Sequence, residues 1–218
     1  MKLDAYTADS LMSESFRRLR ENIETRGSSI SSEATFKFLF AWELGRTLDF
    51  SRDYRFDFEY NVYSRLKTED KFLDLLAYTD PTFKLAFEFK LPKKKTSGAP
   101  SPSTQTRAKI CSDISRLTYL VRDKVDQIHL GYFLMATDEG GYLNEGRKTS
   151  NPQYKTYQGT VYPAETIIPE GTGSNGIPRK LSFPKHEVRF DWEGVDRIGD
   201  KLTPKGSFAW LKPIKLWA

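Results

Sequence analysis

The sequence is poor in the residues that carry redox and metal–sulfur chemistry. Among its 218 residues Cys111 is the only cysteine, and His129 and His186 are the only histidines. That scarcity excludes an internal disulfide framework, Cys/His zinc sites and most imidazole-driven catalysis. Long apolar runs are also missing: nothing approaches the roughly 18 residues of a membrane span, so no membrane association is expected. The opening MKLDAYTADS lacks the apolar stretch of a signal peptide, which makes a reducing cytoplasm the expected setting. Any chemistry must then rest on carboxylates, lysines and hydroxyls.

What the chain does hold is aromatic and basic material. Hydrophobic residues make up 38%, with 15 Phe, 11 Tyr and 4 Trp, enough to pack a core in a chain of this length. The formal net charge of +5 is unevenly spread. Residues 1–82 carry 12 basic and 15 acidic groups, residues 83–125 carry 10 and 3, and residues 126–218 carry 12 and 11. The middle segment therefore holds the whole excess. Such a local concentration suits a polyanionic partner, because neutralising phosphates releases counterions.

Met12, Phe16, Leu19 and Ile23 follow i, i+4, i+7, i+11 spacing, which predicts an amphipathic helix over 10–26, capped by Asp9 or Ser10. A second helix is expected from Ser31 or Ser32 to about Leu48. YRFDFEYNVYSRL (54–66) alternates with period two, KFLDLLAY (71–78) and FKLAFEFKL (83–91) flank a turn at Asp80-Pro81-Thr82, and the three together predict a meander of strands. PKKKTSGAPSPSTQT (92–106) reads as a loop. Ile110, Ile114, Leu117 and Val121 predict a helix over 106–124, and IHLGYFLMAT (128–137) a buried strand. Beyond Gly140-Gly141 short strands are expected in TYQGTVYPAETII, HEVRFDW and SFAWLKPIKLW. The expected class is α/β with a central sheet.

Strand periodicity puts Glu88 and Lys90 on one face of the third strand, with Phe87 and Phe89 on the other. Asp74 stands among Phe72, Leu73, Leu75 and Leu76, where an unpaired carboxylate is costly, so it needs a cation or a donor. If the second and third strands pair through the Asp80-Pro81 turn, Asp74 and Glu88 come near each other. Two clustered carboxylates suit a hard divalent ion such as Mg²⁺ or Mn²⁺. Lys90 beside them can orient an attacking water or stabilise phosphate charge. Lys93, Lys94 and Lys95 leave the same strand directly into the loop, placed to clamp flanking phosphates.

An acid in the first core helix, an Asp in the second strand and Glu-x-Lys in the third resemble the PD-(D/E)xK nuclease superfamily. The resemblance covers roughly residues 31–137, and SEATFKFLFAWEL, FEYNVY, FLDLLAYTD, LAFEFKLPKKK and the helix ending SRLTYLV carry it. Leu73 stands where the family name has Pro. The resemblance implies a restriction-endonuclease-like core of helix, three-stranded meander, helix and strand over 31–140. An N-terminal helix (1–30) would precede this core, and a β-rich C-terminal extension (141–218) of the same domain would follow it. It implies metal binding by Asp74 and Glu88 and a catalytic role for Lys90. The helix acid is Glu33 or Glu43, which lie about 80° apart on a helix wheel; Glu33 is favoured by the Glu-Ala opening of its helix. Lys109, with Asp113 and Arg116 on one stripe of the following helix, is the implied basic residue there.

The function so expected is a Mg²⁺-dependent nuclease hydrolysing phosphodiester bonds, in DNA before RNA, with a homodimer left open. The alternative is a non-catalytic nucleic-acid- or protein-binding chain that retains the fold. Glu-x-Lys is also an ordinary cross-strand ion pair, and Glu59 is read as structural. GTGSNG (171–176) is read as a flexible loop, since no Lys-Ser/Thr follows it. Cys111 is read as a small buried hydrophobe.

Overall fold

The computed structural model describes residues 5–27, 29–48, 54–62, 72–79, 83–94, 103–145, 153–172 and 178–218. Two helices open the chain, α1 (Ala5–Arg26) and α2 (Glu33–Thr47). The α1 stripe is the expected one: Met12, Phe16, Leu19 and Ile23 are all buried. Its start lies earlier than the expected cap, and Asp9 instead accepts a hydrogen bond from the Tyr132 hydroxyl at 2.6 Å. Ser32 caps α2, its hydroxyl accepting the Thr35 N–H at 3.1 Å.

The strands β1 (Tyr54–Tyr60), β2 (Leu73–Thr79) and β3 (Phe83–Lys90) form an antiparallel meander. Helix α3 (Ser103–Arg122) then crosses over to β4 (Ile128–Thr137), which pairs parallel with β3. A parallel neighbour requires such a crossover, and α3 lies on it. β4 is buried along nearly its whole length, as a strand covered on both faces must be. Gly131 in β4 lets α3 approach closely: a Cβ there would stand 3.4 Å from Val121 Cγ2 and 3.5 Å from Leu117 Cβ.

Beyond β4 come β5 (Thr160–Tyr162), β6 (Ile167–Thr172), β7 (Pro178–Ser182), β8 (Val188–Phe190) and β9 (Trp192–Glu193). The chain ends with β10 (Val195–Ile198), β11 (Lys201–Pro204), β12 (Ala209–Leu211) and β13 (Ile214–Leu216). Three of these are more than an extension: β12 and β13 both pair with β4, and β9 pairs with β12, completing a seven-stranded sheet. Among the described residues the remaining strands form pairs, β5–β8, β6–β7 and β10–β11. Gly171 and Thr172 of the expected loop belong to β6, and 173–176 lie outside the described residues.

The sheet separates two cores. One, against α1 and α2, is aromatic: Phe16, Phe36, Phe40, Phe87, Phe89, Tyr132 and Trp210 pack there, with Phe36 edge-on to Phe89 at 5.3 Å. The other holds the α3 stripe Ile110, Ile114, Leu117 and Val121 against Leu76, Ala86, Phe133 and Met135. Each fully buried Phe contributes roughly 1.5–3 kcal/mol over exposure, which makes the aromatic layer a large share of the α2–sheet attachment. Among the described residues no helix is long and apolar enough to cross a membrane.

Candidate functional site

The site forms where β2 and β3 stop pairing. Leu75 with Phe87 is the ladder's last pair, and Asp74 stands one residue beyond it. Beside Asp74 in β1, Glu59 has φ of 52°. This left-handed conformation costs a non-glycine residue roughly 1–2 kcal/mol. The β1–β2 register passes from Phe58–Leu75 to Tyr60–Leu73 without pairing Glu59 and Asp74.

Residues two apart in a regular strand share a face. Here Phe58 packs with the α1/α2 core and Tyr60 with the α3 core, and Leu75 and Leu73 divide in the same way. The facing therefore reverses at Glu59 and Asp74. That reversal takes Asp74 out of the ladder and turns its carboxylate toward β3 and α2: Oδ2 accepts the Phe89 N–H at 2.8 Å, and Oδ1 meets the Lys37 ammonium at 3.2 Å.

Lys37 lies one helical turn after Glu33 on α2, is 5% exposed, and pairs with both Asp74 and Glu59. Burial pulls its pKa down, but the two carboxylates outweigh burial and raise it. Lys37 supplies the cation that Asp74 requires.

Glu88 and Lys90 follow β3 periodicity onto the α3 face. Glu88 is buried, with Oε1 accepting from Arg116 Nη2 at 3.1 Å. Burial first, then the charge of Asp113, pushes its carboxyl well above the usual range; Arg116 pulls it back in part, and Asp74 adds to the rise. Lys90 Nζ lies 3.0 Å from Asp113 Oδ2, 3.3 Å from Glu33 Oε1 and 3.1 Å from the Phe89 carbonyl oxygen. Burial lowers its pKa, but Asp113, Glu33 and Glu88 together raise it well above the usual lysine value. The ammonium is therefore held in its charged form.

Glu33 opens α2 and reaches across to β3, where its Oε2 accepts the Leu91 N–H at 3.3 Å. Glu43 is buried against α1 instead, accepting from Asn22 Nδ2 at 2.6 Å and pairing with Arg46. Of the two helix acids, Glu33 is thus the one that reaches the end of β3. Lys93 donates to the Ile30 carbonyl at 3.4 Å, and the Lys94 backbone N–H donates to Asp138 at 2.6 Å, so the start of the basic segment is tied to the fold with both side chains exposed. Lys95 lies outside the described residues. On α3 the residues that touch Glu88 and Lys90 are Arg116 and Asp113; Lys109 is exposed one turn earlier.

Sequence reasoning passed over Lys37 and the place of Glu59. The i+4 spacing of Lys37 from Glu33 was a usable signal, since it puts both on one helical face. No signal marked Glu59, because a glutamate does not advertise a left-handed backbone.

Five carboxylates (Glu33, Glu59, Asp74, Glu88, Asp113) and three cations (Lys37, Lys90, Arg116) make up the cluster. With all of them ionised, two negative charges are uncompensated, an excess that the raised carboxyl of Glu88 reduces when it holds its proton. That excess and the all-oxygen donor set fit a hard divalent cation. The carboxylates are nonetheless spread over their own cationic partners: among the described residues no three His, Cys, Asp or Glu side chains form a group able to hold a metal ion. Comparison with protein-family models, curated proteins and solved structures finds no match to this chain.

Proposed function

We propose that this chain is a metal-dependent nuclease of PD-(D/E)xK type, hydrolysing phosphodiester bonds in DNA. The observation that carries the reading is the charge gathered at the open end of the β2–β3 ladder, where Lys90 pairs with Glu33 and the charge of Asp74 bears on the buried Glu88. Asp74 is turned out of the ladder by the backbone reversal at Glu59. The helix, meander, crossover helix and parallel strand support it further, since this is the element order of that superfamily's core.

Asp74 and Glu88, with Glu33 beside Lys90, are the residues that would hold Mg²⁺ or Mn²⁺, which when bound supplies Lewis-acid polarisation of a phosphoryl oxygen and a more acidic water. The protein's part is then electrostatic. Lys90 is kept protonated by three carboxylates, so its role is to stabilise the negative charge that develops on the phosphoryl oxygens. Proton removal from water falls to another group. The exposed Lys93 and Lys94, at the end of the strand that carries Lys90, are placed to hold phosphates on either side of the scissile bond.

One observation favours a second reading, a non-catalytic nucleic-acid binder on the same framework. Each candidate ligand is already paired within the protein: Asp74 with Lys37, Glu88 with Arg116, Glu33 with Lys90. Incubation of the purified chain with plasmid, single-stranded DNA and RNA, each with and without Mg²⁺, separates the two. Mg²⁺-dependent cleavage of DNA is the expected result. Binding to DNA without cleavage in Mg²⁺ or Mn²⁺ would leave the second reading standing.

A further inference from the structure

The contacts between β3 and α3 have an order that the nuclease reading does not use. Glu88 precedes Lys90 on β3, whereas its partner Arg116 follows Asp113, the partner of Lys90, on α3. The two elements therefore run antiparallel, and an acid meets a base at both contacts. In a strand, residues two apart are separated by about 6.6 Å along the chain and share a face. In a helix, residues three apart are stacked about 4.5 Å along the axis on one side. The two spacings are close enough for Glu88-x-Lys90 and Asp113-x-x-Arg116 to engage as two adjacent ion pairs.

The two pairs are joined by a third contact, Arg116 Nη2 to Asp113 Oδ1 at 2.5 Å. The acids of the clamp are deeply buried, with side chains 2% exposed at Glu88 and 4% at Asp113. Asp113 is paired on both sides, with Lys90 and with Arg116, and acts through Lys90. The remaining tethers of Lys90 hold it less firmly, since Glu33 is 42% exposed and the Phe89 oxygen is a neutral acceptor.

Resting on the proposed nuclease activity, we infer that Asp113 and Arg116 are positioning residues: Asp113 fixes Lys90 for the reacting phosphate, and Arg116 fixes Glu88 for its part in holding the metal. A positioning residue has a signature that a general structural one lacks: its loss matters only while its client side chain is present.

Single-turnover DNA cleavage in Mg²⁺ is measured for the wild type, Lys90→Ala, Asp113→Asn and the double variant, beside DNA affinity in Ca²⁺. Asp113→Asn should lower the rate about 10- to 100-fold, with affinity within about threefold. In the Lys90→Ala background the same substitution should lower it less than about threefold. Arg116→Gln is read in the same way against Glu88→Gln, so the test survives a variant that fails to fold. Effects that multiply independently, with the wild type active, overturn the clamp and leave the nuclease reading intact. A wild type without Mg²⁺-dependent cleavage overturns the nuclease reading and the positioning role together.

Discussion

Replacing Lys37 with methionine removes a cation from the middle of the fold and leaves its main partner in place. Asp74 would keep the Phe89 N–H at 2.8 Å and its 13% side-chain exposure, but would lose the ammonium at 3.2 Å. Breaking a buried pair by removing one partner costs about 3–5 kcal/mol. The retained hydrogen bond and partial exposure put this case at the low end, about 3 kcal/mol, and Glu59, 59% exposed, returns to water at little cost. For a domain of this size that loss lowers Tm by about 6–12 °C.

Urea unfolding of Lys37→Met, Asp74→Asn and the double variant measures the coupling. Asp74→Asn keeps an acceptor for Phe89 and leaves Lys37 its Glu59 partner, so it should cost about 1 kcal/mol less than Lys37→Met. In the Asp74→Asn background, Lys37→Met should cost about 2 kcal/mol less than in the wild type. Mn²⁺ should restore part of the Lys37→Met stability, because a ligand bound by the native state alone stabilises it. Strictly additive losses would mean that Asp74 is held by the Phe89 N–H and not by Lys37, and the account of the site's charge would fail.

Three further outcomes are expected. Lys90→Ala should reduce single-turnover cleavage by about 10²–10³, or roughly 3–4 kcal/mol of barrier, with DNA affinity changed less than about tenfold; a matching loss of affinity would make Lys90 a phosphate anchor. Neutralising Lys93, Lys94 and Lys95 together should flatten the log K against log salt slope on duplex DNA by up to about 3, and an unchanged slope would remove them from the interface. Cys111 is pushed by burial from 9.0 up to about 12. The unfolded chain therefore loses this proton first, and stability falls as pH rises from 9 towards 12. Between pH 8 and 10 the wild type should lose about 1.4 kcal/mol more than Cys111→Ala, a difference that equal pH profiles would refute.

Much of the framework was legible because periodicity and burial are local in this chain. The α1 and α3 stripes, the meander and the buried strand at 128–137 all appear where apolar spacing put them. Glu88 and Lys90 could be assigned to one face for the same reason, as a strand residue's side is settled by its neighbours two away. The C-terminal region was less legible. Strands were expected in HEVRFDW and SFAWLKPIKLW, but not their partners: β9, β12 and β13 are two or three residues long and are held by β4 and by one another.

By itself the sequence determined the α/β class, the order of elements and the residue types available for chemistry, since each depends on local pattern or on composition. Only the tertiary structure decided which charges meet. Glu33 rather than Glu43 reaches Lys90 because α2 lays its first turn against the end of β3, while Glu43 faces α1. Lys37 answers Asp74 because one left-handed residue, Glu59, reverses the strand facing beside it. Asp113 and Arg116 find Lys90 and Glu88 because α3 packs antiparallel to β3. Such pairings join residues 22 to 57 positions apart. Electrostatic attraction acts through space and leaves no period in the chain, so folding alone brings these partners together.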